Sequence, residues 1–144
     1  MSTNKAVKND TEMGSSKCTR CIGKCCRYAL VDLPTPRSRL EFNNYAWYLA
    51  HENTVIYVDD KQWYLSVNNK CRYLDDNNLC TIYEKRFQAC RDHSDENCEF
   101  DSEFEADMTF NSPFELLEYA ERKFAKAAKK RAATRKLTLK SRKK

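Results

Sequence analysis

The spacing of apolar residues along the chain predicts both helices and strands. Apolar side chains recur at helical intervals over residues 36 to 51, after Thr35 and Pro36, which suit the N-cap and the first position of a helix. Most of this helix should be buried, because its apolar residues cover much of its surface: Leu40, Phe42, Tyr45, Ala46, Trp47 and Leu49.

The next pattern is that of a β-hairpin. The stretch TVIYVDDKQWYLSV contains two runs rich in β-branched and aromatic residues. Between them lie Asp59, Asp60 and Lys61, which are polar and suit a turn. We therefore expect two antiparallel strands that meet at this turn.

Farther along, the polar sequence DDNN separates Cys71 from Cys80. Asp and Asn favour turns, so this sequence should bend the chain and let the two cysteines approach each other. A short helix from about Ile82 to Cys90 is expected to follow.

A capping box marks the start of a last helix. Ser112 and Glu115 have the required spacing, and Pro113 between them suits the first helical position. The helix should run toward residue 130, and the sequence after Ala133 should be frayed or disordered. The fold class predicted by these elements is α+β, with a β-hairpin, short helices and a C-terminal helix.

The chain of 144 residues has the length of one domain. Residues 1–16 are polar and aperiodic, which predicts a disordered N-terminal segment. Residues 17–121 should form the domain, and residues 122–144 a basic helix end and tail. The sequence shows no internal repeat.

The chain has no run of 18 apolar residues, and its first residues lack the apolar segment of a secretory signal. We therefore expect a cytoplasmic protein that does not enter the membrane. Cytosolic disulfides are rare, so its eight cysteines favour metal ligation or redox chemistry over a disulfide framework.

The net charge of +5 is unevenly distributed. Residues 122–144 hold 12 of the 26 Lys and Arg residues and no Asp or Glu, whereas residues 92–121 hold eleven acidic residues and no Lys or Arg. The basic tail could contact RNA, the ribosome or an acidic protein, or the acidic stretch of the same chain could neutralise it.

Four of the cysteines fall within the nine residues CTRCIGKCC. Cys18 and Cys21 have the C-x2-C spacing with which one turn presents two sulfurs to a zinc ion. Gly23 permits a further backbone turn that returns Cys25 or Cys26 toward the same ion.

The adjacent Cys25 and Cys26 are a more difficult case. In an extended chain, consecutive side chains project to opposite sides, so both are not expected to serve one mononuclear ion. The two thiols could ligate two neighbouring metal ions. Alternatively, one ligates while the other packs or bridges, or the two form a strained vicinal disulfide.

Four further cysteines complete a set of eight, enough for one or two ions or a polynuclear cluster: Cys71, Cys80, Cys90 and Cys98. Tetrahedral zinc is the favoured cofactor, with iron or an Fe–S cluster as the alternative, because thiolates bind both. Basic neighbours should offset the thiolate charge and lower the thiol pKa values; they are Lys17, Arg20, Lys24, Arg27, Arg72 and Arg91. His93 could also ligate, but its participation is not needed.

The chain resembles the YkgJ-like cysteine-cluster family of zinc- or iron-chelating domains over residues 17 to 121. The segments that carry the resemblance are CTRCIGKCCRY, DLPTPRS, WYLAHENTVIYVDDKQWYL, CRYL, CTIYEKR, ACR and NCEFD. The resemblance implies that the following match the family's cysteine pattern: Cys18, Cys21, Cys25, Cys26, Cys71, Cys80 and Cys90. Cys98 matches a position found in close relatives. Phe87 is a departure, because the family usually has proline there.

The function predicted is metal binding, with folding that depends on the ion because the core is small. One alternative is an Fe–S or redox and metal-handling protein; another is a metal-stabilised module that binds RNA or the ribosome through its tail. Catalysis has little support, since no Ser, His and Asp set, phosphate loop or dinucleotide fingerprint occurs in the sequence.

Overall fold

The computed structural model describes residues 20–93 and 105–141. These residues fall into two compact units. One, the cysteine unit, comprises the described residues within Met1–Ala29 and Asn69–Glu105; the other, the sheet unit, comprises those within Leu30–Asn68 and Ala106–Lys144. The predicted disordered segment 1–16 lies outside the described residues, as do Cys18 and Cys98.

The architecture is α+β, as predicted. The strands are β1 (Ala29–Leu33), β2 (Thr54–Asp59), β3 (Gln62–Val67) and β4 (Met108–Phe110), and they form one sheet in the order β1-β3-β2-β4. The α-helices are α1 (Arg39–Leu49), α2 (Gln88–Asp92) and α3 (Pro113–Ser141).

The predicted hairpin is confirmed. β2 and β3 pair antiparallel with Asp59 opposite Gln62, so that only Asp60 and Lys61 form the turn. Both have positive φ, 44° and 68°, the conformation of a type I′ turn whose twist matches that of paired strands. The Asp60 N–H donates to Oδ2 of Asp107 at 3.0 Å, which ties the turn to the residue before β4.

The start of α1 differs from the prediction. Ser38 is the N-cap, and its hydroxyl accepts a hydrogen bond from the Glu41 N–H, while the Glu41 carboxylate accepts from the Ser38 N–H at 2.8 Å. Thr35 and Pro36 precede the helix, and Pro36 is fully buried. The expected cap at Thr35 was wrong because Ser38 and Glu41 form a reciprocal capping box.

Only one face of α1 is buried. Phe42, Tyr45, Ala46 and Leu49 lie in the core, whereas Leu40 and Trp47 are 70% and 62% exposed. The expectation that most of the helix surface is covered was therefore too broad. The exposed Trp47 contacts the ring of His51, one turn later, at 4.8 Å between centroids.

The predicted start of α3 is confirmed, but its end is not. The Ser112 hydroxyl accepts from the Glu115 N–H, and Pro113 is the first helical residue. The Glu115 carboxylate reaches back to the Asn111 N–H at 3.0 Å, rather than to Ser112. The helix continues to Ser141, so residues 134–141 are helical where we expected the chain to be frayed or disordered.

The sheet unit has its own hydrophobic core, built from α1, α3 and one face of the sheet. Its buried members are Leu33, Phe42, Tyr45, Ala46, Leu49, Ile56, Val58, Trp63, Leu65, Phe110, Leu116 and Ala120. Outside this core, the Arg39 guanidinium makes two hydrogen bonds of 2.9 Å to the Glu121 carboxylate, which joins α1 to α3. Among the described helices, none has the length and apolar content that a membrane crossing requires.

Candidate metal centre

The turn from Cys21 to Cys26 is built around Gly23. This glycine has φ 71° and ψ 42°, a left-handed conformation that L residues with a side chain adopt at a cost. The Cys26 N–H donates to the Gly23 carbonyl at 2.9 Å, and Lys24–Cys26 form one 3-10 turn. A Cβ atom at Gly23 would lie 2.9 Å from Leu74 Cδ1, so the missing side chain also makes room for Leu74. The turn predicted at Gly23 is confirmed.

The 3-10 turn changes the expected relation of the adjacent cysteines. In such a turn, consecutive side chains are separated by about 120° rather than lying on opposite sides. The Cys25 and Cys26 side chains are in fact hydrogen-bonded to each other. The prediction that these two side chains project to opposite sides assumed an extended chain, and it was therefore wrong at this position. Neither residue forms a disulfide, so the vicinal disulfide is not present.

A tight loop connects the next two cysteines. The Asp75 side chain accepts from the N–H groups of Asn77 and Leu79 at 2.9 and 2.8 Å, and this Asx-type arrangement reverses the chain. Leu74 then pairs with Cys80 in an isolated β-bridge. The bend predicted for DDNN is confirmed.

Two contacts join this loop to the first cysteine turn. The Cys71 N–H donates to the Cys26 carbonyl at 2.7 Å, which places the two cysteine backbones side by side. The Arg27 guanidinium donates to the Ile22 carbonyl at 3.0 Å and to Oδ1 of Asn78 at 2.8 Å. Arg27 therefore braces both the turn and the loop, a role that its position beside a cysteine did not reveal.

The single helix expected from Ile82 to Cys90 is divided in two. Tyr83–Lys85 form a 3-10 turn, and α2 begins at Gln88. Between them, Arg86 and Phe87 are extended, with ψ 147° and 159°. Arg86 stabilises this break: its guanidinium stacks on the Tyr83 ring at 3.7 Å and donates to the Tyr83 carbonyl. Cys90 lies on α2, with its N–H bonded to the Phe87 carbonyl.

The electrostatic surroundings of Cys26 run against the sequence expectation. Burial raises the pKa of the Cys26 thiol, and the charges of Cys71, Cys80 and Cys90 raise it further, while the hydrogen bond with Cys25 lowers it. Basic neighbours were expected to lower thiol pKa values. At Cys26 burial is the largest effect on the pKa. The guanidinium of the adjacent Arg27 is directed to Ile22 and Asn78.

The structure therefore gathers the segments that carry Cys21, Cys25, Cys26, Cys71, Cys80 and Cys90 into one unit. All six are free of disulfide bonds. Within residues 20–93 and 105–141, no three Cys, His, Asp or Glu side chains are already grouped closely enough to hold a metal ion. Cys18 and Cys98, the first and last of the eight predicted ligands, lie outside the described residues. His93 is exposed at the end of α2.

Sequence reasoning missed an open cavity beside Cys71. Its volume is about 490 Å³, and it is lined by Lys70, Cys71, Arg72, Tyr73 and Phe87. Lys70 also approaches Asp76, with 3.8 Å between Nζ and Oδ1. The basic residues on both sides of Cys71 and the aromatic Tyr73 were the available signal.

A family model described as "putative zinc- or iron-chelating domain", named for the motif CxxCxxCC, matches residues 17–113. The match confirms the resemblance that the cysteine motifs suggested. No curated protein and no solved structure matches the chain.

Proposed function

Because this chain belongs to the CxxCxxCC family of zinc- or iron-chelating domains, we propose that the thiols of its cysteine unit bind zinc. The observation that carries the proposal is the hydrogen bond of 2.7 Å from the Cys71 N–H to the Cys26 carbonyl, which joins two cysteine-bearing segments. Thiolates brought together in this way repel one another, and a divalent cation among them would replace repulsion with coordination. Zinc in structural sites accepts four such ligands in a tetrahedron.

The proposed ligands are all eight cysteines of the sequence: Cys18, Cys21, Cys25, Cys26, Cys71, Cys80, Cys90 and Cys98. Eight thiols are enough for two four-sulfur sites or for one site with four thiols left over. Cys26 and Cys71 are the best-supported pair, since the backbones of these two residues are hydrogen-bonded to each other. A reducing compartment such as the cytoplasm would keep these thiols available.

Thiolate is the form that binds metal, so binding must displace protons from thiols such as Cys26, whose pKa is raised. Metal affinity should therefore increase with pH. Rearrangement of the cysteine side chains would accompany binding, because no three of the described Cys, His, Asp or Glu side chains are grouped closely enough to hold an ion.

The test is to purify the protein without oxygen and to measure its metal content by mass spectrometry together with its visible spectrum. We expect a colourless protein that contains zinc, and loss of zinc in Cys26→Ser and Cys71→Ser. Ile22→Ala lies in the same turn but removes no thiol, and it should keep its metal. A protein that binds no metal under these conditions would contradict the proposal.

Iron is the alternative metal. An Fe–S or labile iron site would give a brown protein that contains iron and sulfide, and it would direct attention to redox or metal-handling chemistry. This result would retain the chelating function while replacing the proposed metal.

A second function is supported by helix α3, which extends beyond the core as a basic helix. We propose that residues 122–144 bind a polyanion; RNA and an acidic protein are the candidates that the sequence suggested. If so, deletion of residues 125–144 should weaken binding and reduce its dependence on salt, because fewer counterions are then released. If the deletion leaves the salt dependence of binding unchanged, the tail does not bind the polyanion.

A further inference from the structure

The end of α3 is a helix without a packing partner among the described residues. Residues 125–136 are all exposed, and six of the twelve are Lys or Arg, with no Asp or Glu. Like charges four residues apart, such as Lys126 and Lys130 or Arg131 and Arg135, destabilise an isolated helix. A polyanion along this segment would remove that repulsion.

The basic residues are not spread evenly around the helix. At 3.6 residues per turn, Ala125, Ala128 and Ala132 fall on one strip of small side chains. Lys129 and Lys136 flank this strip on one side, and Arg131 and Arg135 flank it on the other, at roughly 50 to 90° from the centre of the strip. Residues 125–136 therefore present a narrow strip of small side chains that a binding partner can approach closely. The flanking Lys and Arg pairs form a basic edge on each side of it.

This arrangement favours one kind of polyanion. Single-stranded nucleic acid is bound with stacking aromatic side chains, and residues 125–136 contain none. An anionic membrane surface is bound by helices with large apolar side chains opposite the charges, whereas the uncharged strip here is alanine. A second copy of the helix would add like charge.

We propose that residues 125–136 of α3 bind in the major groove of duplex DNA. The alanine strip would face the floor of the groove, and the two basic edges would contact phosphates of opposite strands. The major groove of B-DNA is about 12 Å wide and admits an α-helix, whereas that of A-form RNA is narrow and deep. This inference rests on the polyanion-binding role proposed above and specifies the partner and the face.

The sharpest test compares two neighbouring alanines in the full-length, metal-loaded protein. Ala128→Glu and Ala127→Glu make the same change in charge and replace alanine with a good helix former, but only Ala128 lies on the strip. Binding to a fluorescently labelled 20-base-pair DNA duplex would be followed by anisotropy. Ala128→Glu should weaken binding about tenfold more than Ala127→Glu, since a carboxylate near the groove floor is close to both phosphate rows.

A second pair of variants measures the phosphate contacts. In Lys129→Gln with Lys136→Gln, the slope of log affinity against log salt should fall by about 1.8, at roughly 0.9 per contact. The same number of charges removed at Lys126 and Lys130, farther from the strip, should change the slope less. Circular dichroism would verify that all variants remain helical.

Three results would overturn the inference. Equal weakening by Ala127→Glu and Ala128→Glu would show that charge matters but the face does not. Tighter binding to an RNA duplex, or to an acidic protein, would refute binding in the DNA groove but would agree with the proposed polyanion-binding role. If deletion of residues 125–144 leaves the affinity for DNA and its salt dependence unchanged, both binding in the DNA groove and polyanion binding by the tail are refuted.

Discussion

At the scale of single residues, Gly23 shapes the cysteine unit more than any thiol does. Its left-handed backbone turns the chain before Cys25 and Cys26, and its lack of a side chain admits Leu74. Glycine's freedom made the turn predictable from the sequence. Leu74 was not predictable, because its contact joins residues about fifty positions apart that no local pattern connects.

Gly23→Ala should destabilise the cysteine unit and weaken its metal affinity. The left-handed conformation costs an alanine about 1 to 2 kcal/mol, and the new Cβ would also press on Leu74. Urea unfolding of the metal-loaded protein would measure the change. Ile22→Ala, at an exposed neighbouring position, is the control; equal stability of the two variants would contradict the role of Gly23.

Phe87 has a backbone already suited to proline. Its φ is −63°, and the preceding Arg86 is extended, as a residue before proline must be. As the N-cap of α2, Phe87 is also at a position whose N–H has no partner within the helix. The proline that the sequence resemblance predicts at this position would therefore fit the local backbone.

Phe87→Pro should consequently be tolerated. Relative to Phe87→Ala, which loses the same ring contact with Tyr73, the proline variant should be more stable by about 0.4 to 1 kcal/mol, because proline restricts the unfolded chain. Thermal unfolding of both variants would measure this difference. If the proline variant is less stable than the alanine variant, residue 87 needs a backbone freedom that proline removes, and the prediction is contradicted.

At the scale of elements, the helices and strands were predictable but their ends were less so. The hairpin and the start of α3 follow from local sequence, since turn and capping residues lie within a few positions of each other. Thr35 and Ser38 are both plausible caps, and only the reciprocal bonds of Ser38 and Glu41 decide between them. The end of α3 was missed because alanine and lysine maintain a helix where no packing pattern remains.

The cap of α1 gives a paired prediction. Ser38→Ala should lower the free energy of unfolding by about 0.5 to 2 kcal/mol, because it leaves a helix-end N–H without its acceptor. Thr35→Ala should have a much smaller effect, since Thr35 precedes the helix. Denaturant unfolding of the two variants would compare them, and a larger effect at Thr35 would restore the cap predicted from the sequence.

Glu41 makes the same cap sensitive to acid. Hydrogen bonds from the N–H groups of Arg37 and Ser38 lower the pKa of Glu41 below its ordinary value of 4.5. A lowered pKa in the folded state stabilises the fold above pH 4.5, and this stabilisation is lost as the pH falls through the folded value.

We therefore expect Glu41→Gln to lose less stability than the wild type when the pH falls from about 5 to about 3, because glutamine does not titrate. The midpoint of urea unfolding at several pH values would measure the effect. Glu52→Gln replaces an exposed carboxylate after the helix and serves as the control. An identical acid response in Glu41→Gln and the wild type would argue against the contribution of the cap.

At the scale of the whole molecule, the cysteines and the hydrophobic core belong to different units. All six described cysteines lie in the cysteine unit, whereas the core of Phe42, Ile56 and Leu116 lies in the sheet unit. Sequence reasoning expected one domain, 17–121, whose folding depends on metal; those boundaries stay a prediction. Composition could not separate the units, because their segments alternate along the chain.

We expect removal of metal to affect mainly the cysteine unit. Chelator treatment under reducing conditions should increase amide hydrogen exchange around Cys71 and Cys80, while amides of β2 and β3 remain protected by their own core. Exchange followed by mass spectrometry would compare the two units. Simultaneous loss of protection in β2 and β3 would mean that the chain unfolds cooperatively as a single domain.

The alternation of the two units along the chain has a consequence for synthesis. Forty-five residues separate Cys26 from Cys71. At a synthesis rate of about 5 to 20 residues per second, roughly 2 to 9 seconds would pass between the addition of Cys26 and that of Cys71. The intervening hairpin can form during that delay, whereas the core closes only once Leu116 and Ala120 have been added. The nascent chain would thus present its first thiols, exposed and incomplete, before either unit is finished, so that early metal capture or oxidation would occur at this turn.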